Sequence, residues 1–355
     1  MKAKSNVFSF LMASLIVLFF LGACGSKNAS NNNTISNDVN KSDTSKDISK
    51  KIVVTSPCPA TTFYAYKEGR EGIVGVSDWL FSNGNKSILN SVIPSTKKVD
   101  TSFINSDFKI NLESLMNLNP DLIFYYAKYQ NDGLERAKVP TIDLSGKNQD
   151  PEELQILWEK KFCQALNIKN EYKYEKAWAH TKKMVTENTN KNNKHPKVLY
   201  INRINKNIEV SAPNTTQDYY LKDAGLENVA TDLNTKGDAG RFKSVSLEQI
   251  YKWNPDMIIV NFGSANKILN NKIDGQDWSK LNAVKEKKVY SSPVGLHTWG
   301  NLGGDSPLMP LWLLNLTNPT KMTDSKLRDE TKNYYKKMFD YNLNDNQLDT
   351  IFESR

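Results

Sequence analysis

Cysteine and histidine are both scarce in this chain, at three residues each in 355. Three cysteines exclude a disulfide-dense scaffold, and none stands at a Cys/His zinc spacing. There is no P-loop and no zinc-protease helix, and Gly75-Val76-Ser77-Asp78-Trp79 lacks the closing glycine of a nucleophile elbow. Asp274 and Asp277 beside Gly275 supply too few oxygens for a calcium loop. An extracellular hydrolase therefore stands only as the competing class, and no enzyme activity is expected. Long basic blocks are absent too, although Lys and Arg (47) outnumber Asp and Glu (39) for a net charge of +8. Without a nucleic-acid motif, that spread charge points to anionic ligands or surfaces instead of nucleic acid.

Only one long apolar run is present, and it lies at the start. Lys2 and Lys4 precede residues 7–21 (VFSFLMASLIVLFFL), a stretch of signal-peptide length and short for a stable membrane span. Leu21-Gly22-Ala23-Cys24 resembles the lipobox of bacterial lipoproteins. That resemblance implies removal of residues 1–23 and lipidation of Cys24, giving two-chain anchoring to the membrane. Residues 25–50 are rich in Asn, Ser, Lys and Asp and nearly free of apolar side chains. Such a segment cannot offset its chain entropy, so 24–50 reads as a lipidated tether.

The remaining chain says one thing twice. NLESLMNLNPDLI at 111–123 recurs as SLEQIYKWNPDMI at 246–258, an offset of 135 residues. In each copy a cap residue, Asn111 or Ser246, opens a helix with a glutamate in its first turn, Glu113 or Glu248. Asn-Pro-Asp then ends the helix and launches an apolar strand. Around these blocks short β-branched runs (51–55, 72–76, 122–126, 139–144, 197–202, 257–260, 288–290) alternate with helical stretches, one of them at 61–68. The pattern predicts an α/β fold of two pseudo-symmetric lobes with mainly parallel sheets, over 51–150 and 191–355. Between them 151–190 is expected to form one long connecting helix, broken if anywhere near Asn167 to Asn170, with the ligand cleft between the lobes.

These features together resemble the substrate-binding lipoproteins that serve bacterial ABC importers for iron-siderophores, haem and cobalamin. The likeness rests on the lipobox, Ser56-Pro57, Gly72-Ile73-Val74-Gly75-Val76, both repeat blocks, and 223–229 (DAGLENV). It continues through Ala283-Val284-Lys285, Lys288-Val289-Tyr290, Trp299 and Ser306-Pro307-Leu308, and so covers about residues 51–340. It implies two rigid lobes with small closure, a monomer in the extracytoplasmic space, no intrinsic cofactor, and a metal chelate as ligand. An iron-siderophore is favoured, with a corrinoid, haem or a nickel or cobalt chelate as alternatives. Carried over from the resemblance, Glu113 and Glu248 would dock onto arginines of the permease dimer. For each glutamate the helix dipole alone is the simpler reason to be there.

Ligand groups are expected in loops beyond strand ends. From the first lobe these are Pro57, Cys58, Trp79, Tyr125, Tyr126 and Tyr129. From the second they are Asn202, Arg203, Arg241, Phe262, His297 and Trp299. Aromatics supply area and arginines hold carboxylates. One of Tyr125 and Tyr126 should face the core, and Arg203 serves equally well as a surface ion-pair partner. His297 is the candidate metal ligand. Cys58 is either a soft ligand or a small buried residue, and a Cys58–Cys163 disulfide is open.

Overall fold

The computed structural model describes residues 50–127, 130–131, 133–189, 195–204, 207–233 and 242–353. Cys24 and the export segment, Tyr129 and Arg241 lie outside the described residues.

Among the described residues ten strands form two sheets. β1 (Ile52–Val54), β2 (Ile73–Val76), β3 (Leu122–Tyr125) and β4 (Thr141–Asp143) pair in parallel in the order β2-β1-β3-β4. The second sheet contains β5 (Lys197–Ile204), β6 (Ile208–Ser211), β7 (Glu227–Asn228), β8 (Phe242–Val245), β9 (Met257–Phe262) and β10 (Val289–Ser291). Its order is β10-β9-β5-β6-β8, with β7 also on β5; the β6 pairings are antiparallel and the rest parallel. The expected α/β architecture with mainly parallel strands is therefore present. β6 and β8 are additions that the apolar pattern does not mark.

Ten helices matter below: α1 (Pro57–Phe63), α2 (Trp79–Asn83), α3 (Leu112–Asn117), α4 (Pro151–Leu166), α5 (Lys173–Asn188), α6 (Thr216–Asp223), α7 (Leu247–Trp253), α8 (Met309–Thr317), α9 (Asp324–Phe339) and α10 (Asp345–Phe352). The helix expected over 61–68 is instead two short ones, α1 and Lys67–Gly72, because the chain is extended at Tyr66.

The connection between the lobes also differs from a single rod. α4 starts at Asp150, whose carboxylate accepts from the N–H groups of Glu152 and Glu153. It stops at Asn167, which adopts φ 54°, while the Ile168 N–H turns back onto the Cys163 carbonyl at 3.0 Å. That left-handed cap ends the helix at the expected break and reverses the chain. Glu152 then pairs with Lys182, Gln155 with Trp178, and Glu159 with the Lys173 N–H, so α4 and α5 run antiparallel. The link is a helical hairpin.

Side-chain alternation explains why the two sheets share a core. Val53 and Ile123 face outward with Phe103 and Leu115, whereas Val54 and Phe124 face the helices. In β5, Leu199 and Ile201 pack on one side, and Val198 and Tyr200 turn to the other. The inward residues of both sheets meet Trp158, Trp178 and Trp312 in one continuous cluster. Burying each such side chain contributes about 1.5–3 kcal/mol, so separating the lobes along this layer is costly. All described residues belong to one compact unit, Ile48–Arg355.

The repeat has a mechanical role. Asn119 and Asn254 take φ 48° and 41°, which closes α3 and α7 in the left-handed cap that asparagine tolerates. Asp121 then accepts the Lys51 N–H at 2.8 Å, and Asp256 accepts the Lys197 N–H at 2.9 Å. The Asp121 and Asp256 N–H groups donate back to the Lys51 and Lys197 carbonyls, each at 2.8 Å. Each Asn-Pro-Asp thus ends a helix and clamps the first residue of the neighbouring central strand.

Candidate functional site

Parallel pairing places the C-terminal ends of β1, β2, β5 and β9 at one edge, and three sequence-predicted side chains meet there. Trp79 begins α2 directly after β2 in the first lobe. Arg203 on β5 is the register partner of Phe262 on β9 and of Glu209 on β6. The Arg203 guanidinium carbon lies 5.6 Å from the ring centroids of both Trp79 and Phe262. The two rings contact each other edge to face at 6.3 Å. A cation packed against two rings, one from each lobe, is held by the ring quadrupoles while its outer N–H groups stay available. Glu209 balances it, with a carboxylate oxygen 3.4 Å from Nε. All three cleft residues are half-buried. Beside Phe262 a hollow of about 270 Å³ opens, with Lys267 and Lys272 on its wall.

Behind this cluster is a buried amide network. Asn261 donates to Asn301 at 2.8 Å and to Asn202 at 3.4 Å, and accepts from the Thr298 hydroxyl at 2.9 Å. It fixes the loop after β10 against the strand ends. A Cβ on Gly300 would lie 2.0 Å from the Tyr200 hydroxyl, so only glycine permits this approach. The same loop reaches the first lobe. Asn85 N–H donates to the Gly295 carbonyl, Gly304 N–H to the Thr61 hydroxyl, and the Gln155 amide to the Gly303 carbonyl.

Asp305 organises the loop from inside. Its carboxylate accepts the Leu296 N–H at 2.6 Å and the His297 N–H at 3.5 Å. Burial pushes its carboxyl up to about 7, against the Leu296 and His297 N–H bonds that pull it down. An unfolded aspartate titrates near about 3.9, so the folded chain holds a proton that the unfolded chain has released. The associated stability is present below about pH 4 and is lost as pH rises through about 7. Three units correspond to at most about 4 kcal/mol. We predict that Asp305→Asn flattens this part of the stability profile. Denaturant unfolding of both proteins at pH 4, 5.5 and 7.5 checks it, and an unchanged slope in the variant contradicts it.

The other expected cleft residues divide. Pro57 is buried at the first position of α1, and Cys58 is half-buried beside it. Burial pushes the Cys58 thiol up to about 12, which keeps it protonated and a poor metal ligand at neutral pH. Cys58 and Cys163 are both free thiols, so the disulfide is not formed. Tyr125 ends β3 on the outer cluster, whereas Tyr126 packs edge-on against Trp158 at 5.4 Å and donates to Gln149. Tyr126 is thus the one facing the shared core. Trp299 is 0 % exposed and packs on Phe352 of α10 at 5.5 Å, which makes it a core residue, not a cleft wall. His297 is 1 % exposed inside the loop. Among the described residues no group of three or more His, Cys, Asp or Glu could hold a metal ion. Phe108, stacked near Trp79 at 5.6 Å, Glu209 and Asn261 were not anticipated. Asn261 directly precedes Phe262 at a strand end, a signal that was available.

Glu113 and Glu248 stand exposed in the first turns of α3 and α7. Each helix runs back before its strand, so both N-termini lie at the edge of the sheets where the cleft opens. Its own N–H and the Ser246 hydroxyl hold the Glu248 carboxyl below the usual range, as an anion.

Two α/β lobes about a cleft at their strand ends define a bilobal ligand-binding protein. The chain belongs to the periplasmic binding protein family, whose profile matches residues 52–294. It is similar to a periplasmic solute-binding protein from Veillonella parvula, with a TM-score of 0.70 and 26% identity over 85% of this chain and 91% of that one. The fold is also that of Helicobacter pylori CeuE with Ni(II) bound, at a TM-score of 0.66 and 22% identity over 86% and 94% of the two chains. A stretch of 120 residues is 31% identical to the molybdate-binding protein MolA of Haemophilus influenzae. That match spans 34% of this chain and about a third (32%) of the relative.

Proposed function

We propose that this protein captures a small anionic metal complex outside the cytoplasm and delivers it to an ABC permease dimer. The observation that carries the reading is Arg203, packed against Trp79 and Phe262 from the two lobes, with Lys267 and Lys272 in the adjoining hollow. A cation on aromatic walls suits a ligand with an organic shell and peripheral negative charge. Within that class we place a ferric siderophore first, bound as cargo. Molybdate is the second reading, favoured by the local match to the Haemophilus protein. Lipidation of Cys24 would hold the binding body at the membrane, and Glu113 and Glu248 would meet the two halves of the permease.

The test is quenching of intrinsic fluorescence during titration with ferric siderophores, haemin, cobalamin, a nickel–histidine complex and molybdate. One of these ligands is expected to bind saturably, and Trp79→Phe should remove most of the quench because that indole lies in the cleft. If none binds saturably, the capture reading is wrong.

A further inference from the structure

A second hollow lies away from the cleft. A groove of about 670 Å³ lies between α5 and α9, closed at one end by the turn that joins α4 to α5. Leu308, Leu311 and Met338 lie under its floor, packed tightly enough to be only 2 %, 1 % and 4 % exposed. Its mouth is cationic. The two lining carboxylates are already engaged, Glu330 with His180 at 2.8 Å and Glu171 with Lys173 at 3.2 Å. Lys169 and Lys337 have no carboxylate partner among the described residues, so the mouth carries uncompensated positive charge.

A separate observation sits on the same rim. Tyr172 is 53 % exposed, the one large hydrophobic side chain exposed among the described residues. It takes φ 54°, a conformation that disfavours a bulky residue, and caps α5 without a side-chain bond. The cap is supplied instead by Glu159, which accepts the Lys173 N–H at 2.7 Å. Neither turn geometry nor capping calls for tyrosine here, whereas an aromatic lip over an apolar floor suits a ligand.

We propose that this groove binds an anionic amphiphile: a single acyl chain along the floor with its carboxylate at Lys169 and Lys337. A pocket of this size has the usual volume of a small-molecule site. The site is independent of the cleft and of the capture reading.

Calorimetric titration of the full chain with dodecanoate, below the concentration at which it forms micelles, tests the proposal. Saturable one-to-one binding is expected, at least tenfold weaker for dodecyltrimethylammonium, which has the same tail and the opposite charge. Lys169→Glu with Lys337→Glu, both on the surface, should weaken dodecanoate at least tenfold. Equal binding of both amphiphiles, insensitivity to the lysine reversal, no binding at all, or binding only to phosphatidylglycerol vesicles would each overturn it.

Discussion

Replacing Arg203 by alanine is expected to weaken capture of the anionic ligand by roughly 100-fold. The estimate follows from one charge-assisted hydrogen bond, about 1.5–3 kcal/mol, together with a cation–aromatic contact of about 0.5–1 kcal/mol or more. The loss has a second source. Without the guanidinium, Glu209 remains at the cleft as an unbalanced negative charge facing an anion. Arg203→Ala with Glu209→Gln should therefore recover part of the affinity, and the double-mutant cycle separates the two effects. Arg203→Lys keeps the charge but not the planar fork against Trp79 and Phe262, and an intermediate loss is expected. Equal affinity of the alanine variant and the parent protein, by the same fluorescence titration, would remove Arg203 from the site.

The second large effect concerns delivery. Glu113→Ala with Glu248→Ala is expected to lower uptake in cells by at least about tenfold, while ligand affinity of the isolated protein stays within about twofold. The two exposed carboxylates stand at matching positions of a repeated helix, so on the docking proposal they would present one chemistry twice to a dimeric permease. Each single variant should leave partial uptake, since one contact remains. The opposing possibility is that each glutamate serves only its own helix dipole. In that case the double variant melts slightly earlier and transports normally. Uptake and melting temperature measured together decide between them.

Much of the molecule was legible in the sequence because its signals are local. Capped helices, asparagine closures and β-branched runs of four to six residues state their own geometry, and repetition at a fixed offset states that there are two lobes. Trp79, Arg203 and Phe262 were legible as residues near strand ends, although Arg203 and Phe262 belong to β5 and β9 themselves and not to the loops beyond them. Their meeting was not, because it depends on the register of β5 against β9 and on the placement of α2 across the cleft. β6 escaped notice because Ile208-Glu209-Val210-Ser211 is short and half polar, and its antiparallel pairing with β5 supplies the stability that its composition lacks. Glu209 escaped with it.

Trp299 and His297 show the converse. A rare histidine and a tryptophan in one loop look like ligand residues, yet the loop folds inward because Asp305 gathers its N–H groups from beneath. Those partners are eight or more residues away and carry no local signature. The repeat determined by itself that two similar units would each end a helix at Asn-Pro-Asp and start a buried strand. Only the tertiary structure decided that the aspartates clamp Lys51 and Lys197, that the linker doubles back, and that one arginine packs against rings of both lobes. Backbone preference and apolar period act over a few residues, whereas register, burial and charge pairing are settled by chain segments that meet only after folding.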